Sequence, residues 1–181
     1  MKKCIVCSIV SLIFFNSLSS QELVIGEERI NPGIIFIFEG AVKDTVYPKN
    51  YNLAENQTDV HIEARVNWDF ENIPDGTPPG GFIPYLRINA VIQNQQTGIK
   101  SSIDLIPHIN LIDNFHYARN VSLPGSIDDI YQVEFFINSP GKFDLSFHKD
   151  WLEKYSESLI EDIELKYVNI SFSEIARLSR K

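Results

Sequence analysis

Sulfur is almost absent from this chain. The only cysteines, Cys4 and Cys7, and the only methionine, Met1, lie at the extreme N-terminus. The segment that contains them begins with two lysines, continues as a short apolar run and ends in small polar residues up to Ser20. This order is typical of a secretory signal peptide, so we expect residues 1–20 to be cleaved and the protein to be exported. The mature chain would then have no thiol and no thioether. Disulfides would be excluded, and any metal site would use imidazole, carboxylate, amide or water.

A membrane-spanning length of apolar sequence is also missing. The N-terminal apolar run is shorter than the roughly 20 residues that a bilayer core requires, and no later stretch approaches that length. Positive charge is scarce too, because 16 Lys+Arg face 24 Asp+Glu and the net charge is -8. Phosphate contacts need a basic surface, so we expect no nucleic-acid partner. The lack of a second apolar stretch of spanning length predicts no direct membrane insertion. An acidic surface favours cations without identifying one.

Motifs of the common enzyme classes are absent as well. The sequence contains no G-x-S-x-G nucleophile elbow, no P-loop, no G-x-G-x-x-G and no H-E-x-x-H. The H-x-H spacing and the structural disulfide of copper–zinc superoxide dismutases are missing too. We therefore predict no catalytic residues, no organic cofactor and no enzymatic activity.

What the chain does contain is a series of short strands, each ended by turn residues. The clearest runs from Asp59 to Trp68, where apolar residues alternate with His61, Glu63, Arg65 and Asn67. The other predicted strands are Ile34 to Phe38, Pro84 to Gln93, Ile99 to Leu105, Tyr131 to Ile137, Phe143 to Phe147, and Ile163 to about Phe172. Only Lys149 to Leu159 has a helical pattern. This succession predicts an all-β fold, an immunoglobulin-like antiparallel β-sandwich over residues 21–172. We expect the C-terminal tail, residues 173–181, to fray at its basic end.

Four histidines are the candidate ligands. His61 and Glu63 are two residues apart on the polar face of a strand, which directs both side chains to the same side about 7 Å apart. His108 and His116 flank a segment that looks like a loop and would bring both rings to one rim. His148 follows the alternating residues Phe143, Leu145 and Phe147 and falls on the opposite face, with Asp144 and Ser146. Four histidines are an ordinary number for a chain of this length, so their positions matter more than their count.

Several segments occur in an order that matches a known family. They are Asp59-Val60-His61-Ile62-Glu63-Ala64, Gly81-Phe82-Ile83-Pro84-Tyr85-Leu86, Ile106-Pro107-His108, His116-Tyr117-Ala118-Arg119-Asn120-Val121, Tyr131-Gln132-Val133 and Glu164-Leu165-Lys166-Tyr167-Val168. Together they resemble the bacterial periplasmic high-affinity iron transport protein family, which includes treponemal metal-binding lipoproteins. The resemblance covers roughly residues 24–172.

The resemblance implies a periplasmic sandwich that forms a homodimer and binds a divalent or copper ion at the dimer interface. The metal ligands it implies are His61, Glu63, His108, His116 and His148. It also implies a role beside an inner-membrane iron permease in ferrous-iron uptake, with no conventional enzymatic step.

This chain departs from the family pattern at its implied ligands. His108 stands where the family has methionine, so an imidazole replaces a soft thioether. The stretch from His108 to His116 is one residue longer than usual, and the His-rich loop is reduced to His148. The metal therefore stays open among copper, ferrous iron, manganese and zinc.

Two other functions are compatible with the sequence. One is a metal-free β-sandwich that acts as an interaction module of the cell envelope. The other is a copper-dependent oxidoreductase. The metal content of the purified protein separates the first from a metal-binding protein, and turnover by the copper form tests the second.

Overall fold

Eight antiparallel strands make up most of the regular structure. The computed structural model describes residues 22–180, and the predicted signal peptide lies outside them. The strands are β1 (Glu22–Ile30), β2 (Ile34–Ala41), β3 (Val60–Trp68), β4 (Arg87–Asn94), β5 (Lys100–Asn110), β6 (Asn114–Val121), β7 (Ile130–Asn138) and β8 (Ile163–Ser171). Two short helices, α1 (Lys149–Lys154) and α2 (Ser173–Arg177), and a 3₁₀ turn (Glu55–Gln57) complete the described part. None of the helices among these residues is long and apolar enough to cross a membrane.

The strands follow the spatial order β1-β2-β3-β6-β5-β4-β7-β8. The long strand β5 belongs to both layers, because Leu105 in its first part pairs with β4 and His108 near its end pairs with β6. The two layers pack face to face, and the rings of Phe38 on β2 and Phe135 on β7 stack with centroids 4.1 Å apart. The predicted all-β antiparallel sandwich is confirmed.

Strand β3 places its apolar residues in the core and its polar residues on the outer side of the sheet. Val60, Ile62, Ala64 and Val66 are fully buried in the core between the layers, as the alternation predicts. His61 and Glu63 point to the outer side of the sheet, yet they are also buried. The connection between β2 and β3, residues 42–59, folds over this outer face.

The structure differs from the local predictions in four places, one of which is that strand β6, with His116 and Asn120, was not predicted. Phe143–Phe147 is not a strand, because a turn at Gly141 accepts a backbone hydrogen bond from Asp144 and leaves Phe143 exposed. The predicted helix Lys149–Leu159 is shorter and ends at Lys154. Strand β1 went unpredicted because its alternation is interrupted at a bulge beside Gly26. The ring of Tyr167 on β8 occupies the space that a Cβ at position 26 would need.

Candidate metal centre

Three neighbouring strands bring the predicted ligands together on the outer face of one layer. His61 on β3 lies opposite Asn120 on β6, and His116 on β6 lies opposite His108 on β5. Because side chains two residues apart point to the same side of a strand, Glu63 joins this group from β3. The segment between His108 and His116 is not an open loop: it is a tight hairpin that sets the two histidines directly across from each other.

The three histidines form a compact group of donor atoms. One ring nitrogen from each of His61, His108 and His116 lies within 4.8 Å of the others. The Glu63 Oε1 atom is 3.6 Å from His61 Nε2 and 4.0 Å from His116 Nε2. Ligand atoms around a four-coordinate ion with bonds of about 2 Å lie roughly 3–4 Å apart. The separations at this centre, from 3.6 Å to within 4.8 Å, are close to or somewhat longer than that spacing.

In two of the histidines, a hydrogen bond at Nδ1 leaves Nε2 as the nitrogen that could bind a metal. Asn120 Nδ2 donates to the carbonyl oxygens of Asp44 and Leu53, so its Oδ1 must be the acceptor for His61 Nδ1, 2.7 Å away. His116 Nδ1 lies 3.0 Å from the carbonyl oxygen of Asn114 and therefore also donates. Both Nε2 atoms, which lie 3.6 Å and 4.0 Å from Glu63 Oε1, then carry the lone pairs. Outer partners of this kind orient metal-binding imidazoles.

The lone pairs at this site lack protein partners. Both carboxylate oxygens of Glu63 and the Nε2 atom of His108 are buried without a hydrogen bond. Burial raises the pKa of Glu63 to about 8, and it lowers the pKa of His61 to about 3 and that of His108 to about 4. Without a cation the centre thus holds neutral groups around unused acceptor atoms, which a buried site rarely tolerates. A bound metal ion would satisfy them.

A second buried carboxylate adjoins the group and was not predicted. Glu39 on β2 lies opposite Glu63 across the strand pair and forms a 2.7 Å ion pair with Arg65. Burial raises its pKa as well. The predicted strand Ile34 to Phe38 ended one residue before Glu39. A charged residue that directly continues an apolar strand could have indicated a buried carboxylate. Asn120 was also missed, because nothing in its own segment shows that it supports His61.

His148 is not part of this group. It is exposed and immediately precedes α1 in the connection between β7 and β8. Within one chain, the structure brings together His61, Glu63, His108 and His116. The assignment of His148 as a ligand stays a prediction.

The centre opens into a cavity of about 350 Å³. The three histidines form one side of this cavity, the covering segment at Asp44–Tyr47 forms another, and Arg180 completes the lining. The three histidines therefore border an open cavity, and Glu63 lies behind them.

Comparisons with known proteins agree with this architecture. A family model described as Fe2+ transport protein matches residues 19–173. The 34 kDa membrane antigen of Treponema pallidum (strain Nichols) is 30% identical over 97 residues, which are 54% of this chain and 47% of the antigen. The match thus spans about half the length of that curated relative.

Two solved structures share the fold. A copper-bound variant of Campylobacter jejuni P19 is 25% identical with a TM-score of 0.68, covering 82% of this chain and 96% of that chain. A copper-bound variant of FetP from uropathogenic Escherichia coli is 23% identical with a TM-score of 0.66, covering 81% of this chain and 94% of that chain. At 23% identity, the FetP match supports the fold alone.

Proposed function

The chain belongs to the family of Fe2+ transport proteins, and from this premise we propose that it is the periplasmic metal-binding component of a high-affinity iron-uptake system. The observation that carries the proposal is the group of three histidine nitrogens within 4.8 Å beside the unpaired carboxylate of Glu63. The ion is the cargo, taken up outside the cytoplasm after export by the N-terminal signal and passed to an inner-membrane iron permease. We propose binding and delivery rather than catalysis.

The donor set suits divalent ions and copper. Imidazole binds ferrous iron, zinc and cupric copper, while the carboxylate of Glu63 adds a hard oxygen that favours iron or manganese. Among divalent ions, cupric copper is expected to bind most tightly in vitro. Because the ion must displace the proton of Glu63, and protons compete for each imidazole, affinity should fall as the pH is lowered.

Native mass spectrometry combined with elemental analysis tests the function. The purified mature protein should carry one ion per chain, and a chelator should remove that ion without unfolding the protein. Protein that stays metal-free after exposure to ferrous, cupric and zinc ions would instead favour the metal-free interaction module. Oxidase or superoxide turnover by the copper form would favour the oxidoreductase.

We expect the side chain at position 108 to determine the affinity of the site for cuprous copper. A thioether is the softer ligand, and the residues from 21 onward contain no methionine that could take its place. We expect His108→Met to gain cuprous affinity by about 10-fold or more and to lose affinity for divalent ions. Anaerobic competition against a cuprous chelator, with parallel cupric and ferrous titrations, measures both changes. An unchanged cuprous affinity would mean that position 108 is not a ligand.

We also propose a homodimer whose interface adjoins the metal centre. The hairpin that carries His108 and His116 exposes Ile109, Leu111 and Ile112 to solvent, and an exposed apolar cluster commonly marks an association surface. His148 is not grouped with the other histidines of its own chain, so we propose that it acts on the site of a second copy. Closed two-fold pairing is the usual arrangement of soluble homo-oligomers.

Sedimentation at micromolar concentration, with and without metal, tests the homodimer. We expect a dimer for the wild-type protein and a largely monomeric Leu111→Asp variant, because a charge would be buried at the interface. The matched control is Phe70→Asp, which places a charge on another exposed apolar residue, beyond the far end of β3. A wild-type protein that is monomeric under both conditions would contradict the homodimer.

A further inference from the structure

The segment after β8 is anchored to the sandwich and does not fray at α2. Ile175 and Ala176 are buried, and the Lys43 ammonium donates a 2.8 Å hydrogen bond to the carbonyl oxygen of Ala176. Arg177 forms an ion pair with Asp128. The match to the family model ends at residue 173, at the start of α2. The residues that follow lead back to the metal centre.

Arg180 reaches the mouth of the histidine cavity from this segment. It lines the same 350 Å³ cavity as the three histidines, and its Nη1 atom lies 2.8 Å from Asp44 Oδ2. The other oxygen of Asp44 accepts a hydrogen bond from the backbone of Thr45. A carboxylate that faces the cavity is therefore already paired with a cation of the protein itself.

Asp44 is also tied to the ligands beneath it. The side chain of Asn120 donates to the Asp44 carbonyl oxygen and accepts from His61 Nδ1, so one residue fixes both the covering segment and an imidazole. The guanidinium of Arg180 lines the cavity together with His61 and His116, and its positive charge repels any other cation there. A cation bound at the histidines would experience that same repulsion.

We propose that Arg180 is a built-in competitor of the metal ion for Asp44. An incoming divalent cation meets the carboxylate of Asp44 at the mouth, displaces the Arg180 guanidinium and then passes to the histidines and Glu63. The displacement is easy because the pair is partly exposed, with side-chain exposures of 34% for Arg180 and 42% for Asp44, and exposed ion pairs are weak. Arg180 thereby keeps the empty entrance electrically neutral and slows cation entry.

This inference rests on the proposed metal-binding function and is tested with Co2+ as the probe, by stopped-flow absorbance on the mature protein. Arg180→Gln should raise the association rate constant by about 3- to 10-fold, since it frees an attractive carboxylate and removes a repulsive charge. Asp44→Asn should lower the rate by a similar factor. Both differences should shrink as salt is raised to about 0.5 M, because screening weakens them.

Arg177→Gln is the matched control. It removes the same charge from the same segment, but its ion pair with Asp128 does not line the cavity. Equal rates for Arg180→Gln and Arg177→Gln would overturn the proposal, as would a faster Asp44→Asn. A wild-type protein that does not bind Co2+ at all would overturn the metal-binding function itself. Normal wild-type binding with an unchanged Arg180→Gln would overturn only the role of Arg180.

Discussion

His61→Ala and His116→Ala should each weaken metal binding by about 10-fold or more. Both imidazoles have their Nδ1 atoms fixed by hydrogen bonds and their Nε2 lone pairs free, so each variant loses an oriented donor. Loss of an outer-shell partner alone typically costs 10- to 100-fold in affinity, and loss of a direct ligand should cost at least as much. Calorimetric titration with cupric and ferrous ions measures the effect.

A control on the same strand separates a ligand effect from a general one. Asn67 lies on the same face of β3 as His61, but its side chain bonds to the Gly80 carbonyl oxygen away from the centre. Asn67→Ala should retain wild-type affinity. If His61→Ala, His116→Ala and Asn67→Ala all bind as the wild type does, the histidines are not the ligands.

Glu63→Gln should stabilise the metal-free protein at alkaline pH while weakening its metal binding. Burial raises the pKa of Glu63 from 4.5 to about 8. Between these pH values the folded state holds a proton that the unfolded state has released, so the free energy of unfolding falls as the pH rises. The variant removes this penalty, and we expect a gain of about 4 kcal/mol at pH 8.

The histidines produce the opposite slope at lower pH. Burial lowers the pKa of His61 to about 3 and that of His108 to about 4, from 6.5 in the unfolded chain. As the pH falls below 6.5, the unfolded state binds protons that the folded state does not, and stability is lost. The metal-free wild-type protein should therefore be most stable at about pH 6.5, and Glu63→Gln should remove the decline above that pH while keeping the loss of stability in acid that the histidines cause.

Urea denaturation at several pH values in the presence of a chelator measures both slopes. The exposed Glu157 provides the control, because Glu157→Gln should leave the profile unchanged. Parallel titrations should show that Glu63→Gln loses more affinity for manganese or ferrous iron than for copper, since a carboxylate oxygen suits the harder ions. A wild-type stability that does not decline between pH 6.5 and 8 would contradict the buried, protonated state of Glu63.

Much of the candidate site followed from local pattern. The alternation of β3 predicted that His61 and Glu63 share a face, and the structure shows this. The two histidines at 108 and 116 were also expected to meet, although the expected loop is a paired hairpin. The prediction of His148 as a ligand rested on the resemblance. In the structure, His148 lies apart from the group.

Other features could not be derived because they depend on contacts between distant parts of the chain. Glu39 and Asn120 become parts of the centre only through the pairing of β2, β3 and β6. The segment after β8 is a similar case. Its basic composition predicted that it would fray, but α2 is packed against the sandwich. Two apolar residues of α2 find a place in the core, and that contact outweighs the composition.

By itself, the sequence determined the all-β class, the polar face of β3 and the types of donor available, because strand alternation and side-chain chemistry are local properties. The tertiary structure alone decided that this face is covered. Asn120 joins the segment at residues 42–59 to the sheet, and Arg180 returns from the C-terminal segment to the same cavity. Burial beneath these segments leaves Glu63 and the imidazoles neutral and leaves the Glu63 oxygens and His108 Nε2 without hydrogen bonds. This burial turns a row of polar residues into a candidate metal centre.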